Sequence, residues 1–281
     1  MIGKIKQKVW LFVYYIFNFI KVKLMSRLLS KSIRRYSDKW EMVRNDYEKY
    51  ATENILIIGN GPSLSIMDLE SVNRIPSIAS NKIYLLFEKS NWRPDFVTIC
   101  DTLLAYKLRN EKFKTIDRLI CSDVIFYLLK SAGKKRLPWK NITLESAWEK
   151  YVNNKVFTPD PLSEGFFEGY SITNQNIQLA MWLGAKKIYL IGVDHFYQEA
   201  RIDKAGAKMI HEGQNHFHPD YRKSGEIVNN APVDKMNDAY EKMNAIAKAS
   251  GVEIINISRR TALTAFKTMN TDEAIRVINQ E

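Results

Sequence analysis

Histidine side chains that could accept a proton are concentrated in one short stretch of this 281-residue chain. Three of its four histidines are His211, His216 and His218. A neutral imidazole is the natural general base for an attacking hydroxyl, and such assistance is typically worth about 10² to 10⁴ in rate. Either His216 or His218 could fill that role.

A zinc site is the alternative for the same three histidines. They do not make up a four-ligand set by themselves, and neither cysteine lies near them, so the spacing favours proton transfer. The chain also lacks an Asp-x-Asp pair, which many nucleotide-sugar enzymes use to hold a diphosphate through a divalent cation. We therefore predict chemistry without a resident metal or other cofactor.

Two other stretches combine an apolar run typical of a β-strand with a glycine-containing turn. Residues 55–63 read ILIIGNGPS, and residues 188–194 read IYLIGVD. The carboxyl ends of parallel strands line one crevice of an open sheet, and ligands bind in that crevice. The two turns are therefore predicted to lie at one ligand site.

The first of these turns has the parts of a phosphate-binding cradle. Gly59 and Gly61 permit backbone angles closed to other residues and let a ligand approach closely, while Ser63 is placed to cap a following helix. A dinucleotide fingerprint would need glycine where Leu64 stands, and the lysine of a P-loop is missing. The turn predicts a mononucleotide site, with an ordinary tight turn as the alternative.

Polar residues at the ends of other predicted strands and helices extend this candidate site. Asparagine and aspartate side chains there can hydrogen-bond a base, a ribose or a sugar. A helix that begins near Thr173 would present its amino end to the crevice. The predicted nucleotide-binding residues are Gly59, Asn60, Gly61, Pro62, Ser63, Asn81, Asp101, Thr173, Asn174, Gly192 and Asp194.

Strand and helix patterns alternate along the chain and would position these residues. Strands separated by helices of this length form right-handed crossovers and a mostly parallel sheet. The predicted fold is a single α/β domain, Rossmann-like, over residues 38–281. Its predicted strands are 55–58, 80–87, 96–100, 118–121, 187–191 and 252–257, and its predicted helices are 63–72, 102–111, 172–183 and 233–249.

Residues 198–232 interrupt this alternation with no sustained helical or strand period. Connections longer than about 15 residues without structure of their own are usually lids, binding loops or disorder. Because this stretch contains three histidines, we predict a lid over the site, with a mobile surface loop as the alternative. Asp194 and Tyr197 could hold down the lid instead of contacting a ligand.

Residues 1–37 form a basic, aromatic segment. Residues 1–36 carry nine Lys or Arg and no acid, so most of the net charge of +11 belongs here and not to a nucleic-acid groove in the domain. The apolar run at 9–20 is shorter than the roughly 20 residues of a membrane span. It favours an amphipathic helix lying on anionic lipid, with a helix packed on the domain as the alternative.

These motifs resemble the bacterial sialyltransferases of glycosyltransferase family 42 and the related Maf-like and MptE-like domains (domain of unknown function 115). The resemblance covers roughly residues 54–266. It implies that the glycine turn holds CMP, that His216 is the general base and that Tyr197 assists the departing phosphate. The motifs that carry it are residues 59–64, Asn81, residues 172–173, 183–197 and 215–217.

The chain departs from the sialyltransferase pattern at three positions. Asp101 stands where those enzymes have asparagine, Ser171 stands where they have arginine, and His195 is an additional residue. Asp101 would repel a phosphate and suits ribose hydroxyls better. Residues 92–95 and 192–195 are more similar to the Maf-like and MptE-like branch.

The expected function is a metal-independent, inverting glycosyl transfer. An acidic, sialic-acid-like sugar would move from a CMP carrier to a lipid-linked or cell-surface glycan, at the cytoplasmic face of the bacterial inner membrane. The expected partners are this donor, the glycan or glycolipid acceptor and the anionic membrane surface, without nucleic acid, and a homo-oligomer is compatible with the sequence. The alternatives are an MptE-like diphosphokinase that uses ATP and magnesium, and a non-catalytic nucleotide-binding protein of polysaccharide assembly.

Overall fold

The computed structural model describes most of the predicted domain. Residues 1–35 of the predicted membrane segment lie outside the described residues. His211 lies outside them too. No helix among the described residues is long and apolar enough to cross a membrane. The described residues are 36–48, 50, 52–72, 75–108, 118–122, 125–126, 129, 136–139, 141–142, 165–197, 201–202, 209–210, 215–223, 226–228 and 231–280.

Strands and helices alternate along the described chain. The strands are β1 (Asn54–Ile58), β2 (Ser77–Ser80), β3 (Phe96–Ile99), β4 (Leu119–Ser122), β5 (Arg136–Trp139), β6 (Asn141–Ile142), β7 (Phe166–Phe167), β8 (Lys187–Ile191), β9 (Arg201–Ile202), β10 (Met209–Ile210), β11 (Ile227–Val228), β12 (Glu253–Asn256) and β13 (Lys267–Thr268). The helices are α1 (Ser37–Glu48), α2 (Ile66–Ser71), α3 (Thr102–Leu108), α4 (Ile172–Leu183), α5 (Val233–Ala249) and α6 (Thr271–Gln280), with 3-10 helices at Ile83–Leu86 and Pro219–Tyr221.

An eight-stranded parallel sheet forms the centre of the fold. Its strand order is β13-β12-β8-β1-β2-β3-β4-β5, and every pair of neighbours is parallel. Strands β2 to β5 follow one another on one side of β1. Strands β12 and β13 follow β8 on the opposite side of the sheet. The switch point therefore lies between β1 and β8, where a doubly wound sheet opens its ligand crevice. The predicted mostly parallel α/β fold is confirmed.

Helices cover both faces of the sheet, which explains the uninterrupted apolar runs of its central strands. In β1, Ile55 and Ile57 pack into a core with α1, α4 and α5. The alternate residues Leu56 and Ile58 pack into a second core with α2, α3 and α6. The side chains of β1 are thus buried on both faces, and only its carboxyl end is available to a ligand.

The second predicted strand, residues 80–87, is wrong. β2 ends at Ser80, and Asn81 takes a left-handed backbone conformation with φ 56°. The apolar residues that follow form a 3-10 helix that buries Ile83 and Leu86, three residues apart. That spacing places both side chains on one side of a 3-10 helix. An apolar run of this length fits a strand and a short helix equally well.

The segment predicted as an unstructured lid contains short elements of its own. Its strands β9, β10 and β11 form a three-stranded antiparallel sheet, in which Met209 pairs with Ile202 and Val228. Two-residue strands are too short to produce a visible period in the sequence, which is why the pattern predicted none.

Candidate functional site

The two glycine turns lie side by side, as predicted. Beyond the β1–β8 ladder, the Gly59 N–H donates to the Ile191 carbonyl oxygen at 2.8 Å and the Gly61 N–H donates to the Gly192 carbonyl oxygen at 2.8 Å. The chain therefore continues the strand pairing through the first turn. This places residues 59–63 at the switch point of the sheet.

The two glycines are required by the packing of these turns against each other. A Cβ atom on Gly59 would lie 2.2 Å from the Gly192 carbonyl oxygen, and one on Gly61 would lie 2.5 Å from Cγ of Asp194. Contacts this short do not occur between real Cβ atoms and their neighbours. From the sequence, the two glycines were predicted to allow close approach of a ligand, whereas contact between two protein segments already accounts for them.

Asp194 fixes the glycine turn through Ser63. One carboxylate oxygen accepts the Ser63 N–H at 2.7 Å, and the other accepts the Ser63 hydroxyl. Desolvation raises the pKa of Asp194, while the two hydrogen bonds from Ser63 and the nearby Arg260 act in the opposite direction. The predicted capping role of Ser63 is wrong, because α2 begins at Ile66 after Ser65 and the Ser63 side chain is engaged by Asp194.

Three asparagines at this end of the sheet carry amide atoms without hydrogen-bond partners. Asn60 donates from Nδ2 to the Ser80 hydroxyl at 3.0 Å, yet Oδ1 of Asn60 and Oδ1 of Asn81 have no partner. Neither amide atom of Asn174 has a partner, although this residue is 0% exposed. A buried polar atom left unpaired costs about 1–3 kcal/mol, so each one calls for an explanation such as a ligand.

Helix α4 brings Asn174 to the crevice as part of a buried polar face. Its Ser171 cap accepts the Thr173 N–H at 3.2 Å and also accepts the Tyr240 hydroxyl at 2.7 Å. One turn later, Asn176 accepts the Thr98 hydroxyl of β3 at 2.7 Å. These bonds tie the amino end of the helix to the sheet and to α5. The Asn174 amide packs against Gly169 and has no hydrogen-bond partner.

Acidic side chains gather at the carboxyl end of β3. Asp101 accepts the backbone N–H of Leu103 at 2.9 Å and so caps α3, while its other oxygen lies 3.8 Å from Nη2 of Arg222. Desolvation raises the pKa of Glu168, and the negative charge of Asp101 adds to this effect. Desolvation also raises the pKa of the Cys100 thiol, and both carboxylates act in the same direction. Cys100 is therefore a protonated thiol.

The lid segment contacts the glycine turn directly. The Phe217 N–H donates to the Asn60 carbonyl oxygen at 3.1 Å, and Nζ of Lys82 donates to the Tyr221 carbonyl oxygen at 2.8 Å. The His216 ring stacks on Tyr221 with 3.8 Å between centroids and 8° between planes. The structure thus places His216 over the ends of β1 and β2.

His218 has a different role from His216. Its Nδ1 accepts the Asp220 N–H at 3.1 Å and caps the 3-10 helix at Pro219–Tyr221. Nδ1 of His218 also lies 3.9 Å from a carboxylate oxygen of Asp220. The two histidines, which were alternatives for the general base, thus differ in their contacts: His216 stacks on Tyr221, and His218 caps a helix.

Tyr197 follows the end of β8 and lies next to His195. Their rings meet edge to face at 5.4 Å, and Nε2 of His195 lies 2.7 Å from Oδ1 of Asn237 on α5. Desolvation lowers the pKa of His195, although the bond to Asn237 opposes this, so the imidazole is neutral near pH 7. His195 has a left-handed backbone with φ 55°.

Several residues that make these contacts were not predicted from the sequence. Asn237 and Tyr240 lie on α5 without any local signal, since the contacts that make them relevant come from residues about 40 and 70 positions away. Arg260 and Tyr221 were missed for the same reason. Among the described residues, no three histidine, cysteine, aspartate or glutamate side chains are grouped so that they could hold a metal ion.

The sheet order and the crevice at its switch point define a Rossmann-like α/β protein. The chain belongs to the MptE-like family, because the family described as "6-hydroxymethylpterin diphosphokinase MptE-like" matches residues 29–200, more than half of the chain. No curated protein sequence matches it. The MptE-like part of the resemblance is confirmed, and the sialyltransferase part stays a prediction.

Proposed function

We propose that the crevice between β1 and β8 binds a nucleotide and that the protein transfers a group from this nucleotide to an acceptor hydroxyl. The observation that carries the proposal is a set of unpaired buried amide atoms, namely Oδ1 of Asn60, Oδ1 of Asn81 and both amide atoms of Asn174, at the carboxyl ends of β1 and β2 and at the amino end of α4. A carboxamide offers one acceptor and two donors, which match the hydrogen-bonding edge of a base or a ribose. A bound nucleotide would remove the cost of leaving these atoms unpaired.

The group transferred in this proposal is an acidic, sialic-acid-like sugar from a CMP carrier. His216 would take the proton of the acceptor hydroxyl as its oxygen bonds to the anomeric carbon, and the bond from that carbon to the phosphate would break. Tyr197 would donate a hydrogen bond to the departing phosphate. Direct attack from the opposite side inverts the anomeric centre, and no step requires a divalent metal.

The glycine turn, residues 59–63, and the residues that pack against it would bind the nucleotide. Asp194 and Ser63 would hold the turn in shape, and Gly192 would supply the backbone against which it packs. The amino end of α4 near Thr173 favours the negative charge of a phosphate. Asp101, which caps α3 and pairs with Arg222, would face a ribose.

A diphosphokinase is the second candidate, and the description of the matching family favours it. Such an enzyme would use ATP and magnesium and would share the acceptor hydroxyl and the nucleotide crevice. A nucleotide-binding protein of polysaccharide assembly would share the crevice alone.

Thermal shift and turnover measurements with CMP, CMP-sialic acid and ATP, each with and without magnesium, separate these functions. We expect CMP to raise the melting temperature, and we expect turnover of CMP-sialic acid to persist in EDTA. Stabilisation and turnover with ATP only in the presence of magnesium would establish the kinase. Stabilisation by a nucleotide without turnover of either donor would establish a binding protein.

Replacing Asn174 with leucine is expected to weaken nucleotide binding at least about tenfold while leaving the fold as stable as before or more stable. The reason is that leucine of similar size removes two buried polar atoms that have no partner within the protein. Calorimetric titration with CMP and urea denaturation measure the two effects.

Asn176→Leu is the matched control for this substitution. Nδ2 of Asn176 is also unpaired, but its Oδ1 accepts the Thr98 hydroxyl, so its loss should destabilise the protein by about 1 kcal/mol with a smaller effect on CMP. A variant Asn174→Leu that binds CMP normally, or that unfolds at lower urea than Asn176→Leu, would show that Asn174 serves the fold instead.

The basic segment at residues 1–37 is proposed to hold the protein on the anionic cytoplasmic face of the inner membrane. Its nine cations predict binding to anionic vesicles that weakens as salt is raised. Sedimentation with anionic and neutral vesicles measures this, and the chain without residues 1–36 is the control. Equal recovery of the full chain with both kinds of vesicle would contradict the proposal.

A further inference from the structure

We propose that a surface beside the nucleotide crevice binds an acidic carbohydrate, which is the acceptor of the transfer. This surface, called here the aromatic platform, consists of Tyr170, His195, Phe196, Tyr197 and Arg260. Naming the carbohydrate as the acceptor rests on the proposed function, whereas the binding itself does not.

Exposed aromatic rings are concentrated at the platform. Tyr170, Phe196 and Tyr197 are 42%, 40% and 44% exposed, and they are half of the exposed large apolar residues in the described part of the chain. Scattered exposed apolar residues are normal, but a cluster of them marks an interaction site. Exposed aromatic faces suit the apolar C–H face of a sugar ring.

Helix α5 joins these residues into one surface. Asn237 on α5 bonds to His195 at 2.7 Å, and the His195 ring contacts Tyr197. Two residues earlier on the same helix, Nζ of Lys235 lies 5.4 Å from the centroid of the Tyr170 ring. The platform therefore extends from the start of α4 to the end of β8.

The backbone of the platform is strained at two of its residues. Tyr170 and His195 have φ of 56° and 55°, and Asn81 is the other described residue besides glycine with positive φ. Asparagine tolerates this conformation, but bulky side chains adopt it rarely and at a cost in free energy. Strain of this kind persists at functional sites, where it fixes the direction of a side chain.

His195 offers a hydrogen-bond acceptor to the platform. Nε2 lies 2.7 Å from the carbonyl oxygen Oδ1 of Asn237, and the neutral tautomer that can donate to this oxygen carries its proton on Nε2. Nδ1 of the neutral ring is then an acceptor, and no described residue donates to it. A sugar hydroxyl is a suitable donor.

Arg260 determines the charge that the platform accepts. Its guanidinium carbon lies 4.1 Å from the centroid of the Phe196 ring. Among the described residues its charge acts on the Asp194 carboxylate, but no carboxylate lies within ion-pair distance of it. Lys235 adds a second cation at the opposite end, over Tyr170. A cation over an aromatic ring next to a sugar-stacking surface selects a carboxylate or a phosphate on the sugar.

The test is a calorimetric titration of the full chain with trigalacturonate, an acidic oligosaccharide, and with maltotriose, a neutral one of similar length. We expect trigalacturonate to bind at least about tenfold more tightly than maltotriose. Phe196→Ala should weaken both sugars about tenfold, because it removes a stacking face and the support of Arg260. Arg260→Gln should weaken trigalacturonate alone and so abolish the preference.

Matched controls lie elsewhere on the surface. Met67→Ala removes an exposed apolar side chain of α2, and Arg276→Gln removes an exposed cation of α6. Neither should change the affinity for either sugar, and thermal unfolding should show all four variants folded.

Several outcomes would overturn the proposal. They are the absence of trigalacturonate binding by the unaltered chain, an Arg260→Gln variant that keeps its preference for the acidic sugar, and controls that weaken binding as much as the platform variants. If the platform variants weaken CMP and not trigalacturonate, the surface belongs to the nucleotide site and the proposal is wrong. Trigalacturonate binding by a chain that does not bind CMP would instead refute the proposed nucleotide function and leave the platform in place.

Discussion

Replacement of His216 by alanine is expected to lower turnover by about 10² or more while donor affinity stays nearly unchanged. General-base assistance acts on the proton that moves in the transition state, so its loss affects the chemical step and not the binding of the donor. The structure supports this role, because stacking on Tyr221 fixes the plane of the imidazole next to the glycine turn. Single-turnover kinetics with CMP-sialic acid and separate calorimetry of the donor measure the two quantities.

Three variants control for this prediction. His218→Ala should keep near-normal turnover and lose a little stability, because His218 caps a 3-10 helix. Tyr197→Phe should slow the reaction less when the donor carries a better leaving group. His195→Asn tests the other histidine at the crevice, and asparagine tolerates its left-handed backbone.

The assignment of the base would be refuted by either of two results. One is near-normal turnover of His216→Ala together with a large loss in His218→Ala or His195→Asn. The other is a requirement for a divalent metal, since EDTA should leave the rate unchanged.

Gly59→Ala is expected to destabilise the protein by about 3 kcal/mol or more and to abolish nucleotide binding. The new Cβ would lie 2.2 Å from the carbonyl oxygen of Gly192, a backbone atom that no rotamer change can move. The substitution must therefore separate the ends of β1 and β8, and the glycine turn rests on that contact. Urea denaturation and CMP titration measure the two losses.

Gly251→Ala is the control for this substitution. Gly251 has φ 72°, but a Cβ there would meet nothing within 4 Å, so only the backbone conformation opposes alanine. A loss of about 1–2 kcal/mol is expected, with CMP affinity unchanged. If Gly59→Ala is no less stable than Gly251→Ala, the close packing of the two turns does not determine stability.

The structure also changes what is expected of Gly61. From the sequence, Gly61 was predicted to allow a ligand to approach the backbone closely. A Cβ at this position would meet the Asp194 carboxylate, whose two oxygens hold Ser63. Substitution at Gly61 therefore disturbs the turn itself.

Local patterns in the sequence determined the class of fold and the approximate positions of its main elements. Apolar runs that stop at glycine marked β1 and β8, and the helical spans 172–183 and 233–249 agree with α4 and α5. Such signals are local, since burial of a strand or of one helix face requires apolar residues at fixed short spacings. At residues 80–87 the apolar run did not separate a strand from a 3-10 helix.

Tertiary structure alone decided which of these elements meet and what their polar side chains do. The bond from Ser63 to Asp194 spans 131 positions, and the stacking of His216 on Tyr221 beside the turn depends on how the lid packs. The spacing of residues in the sequence does not determine strand order. Asp194, Asn174 and His216 could therefore be predicted as site residues, but the residues that they contact could not. The unpaired amides and the aromatic platform arise from contacts between distant segments, and for that physical reason they could be recognised only in the folded chain.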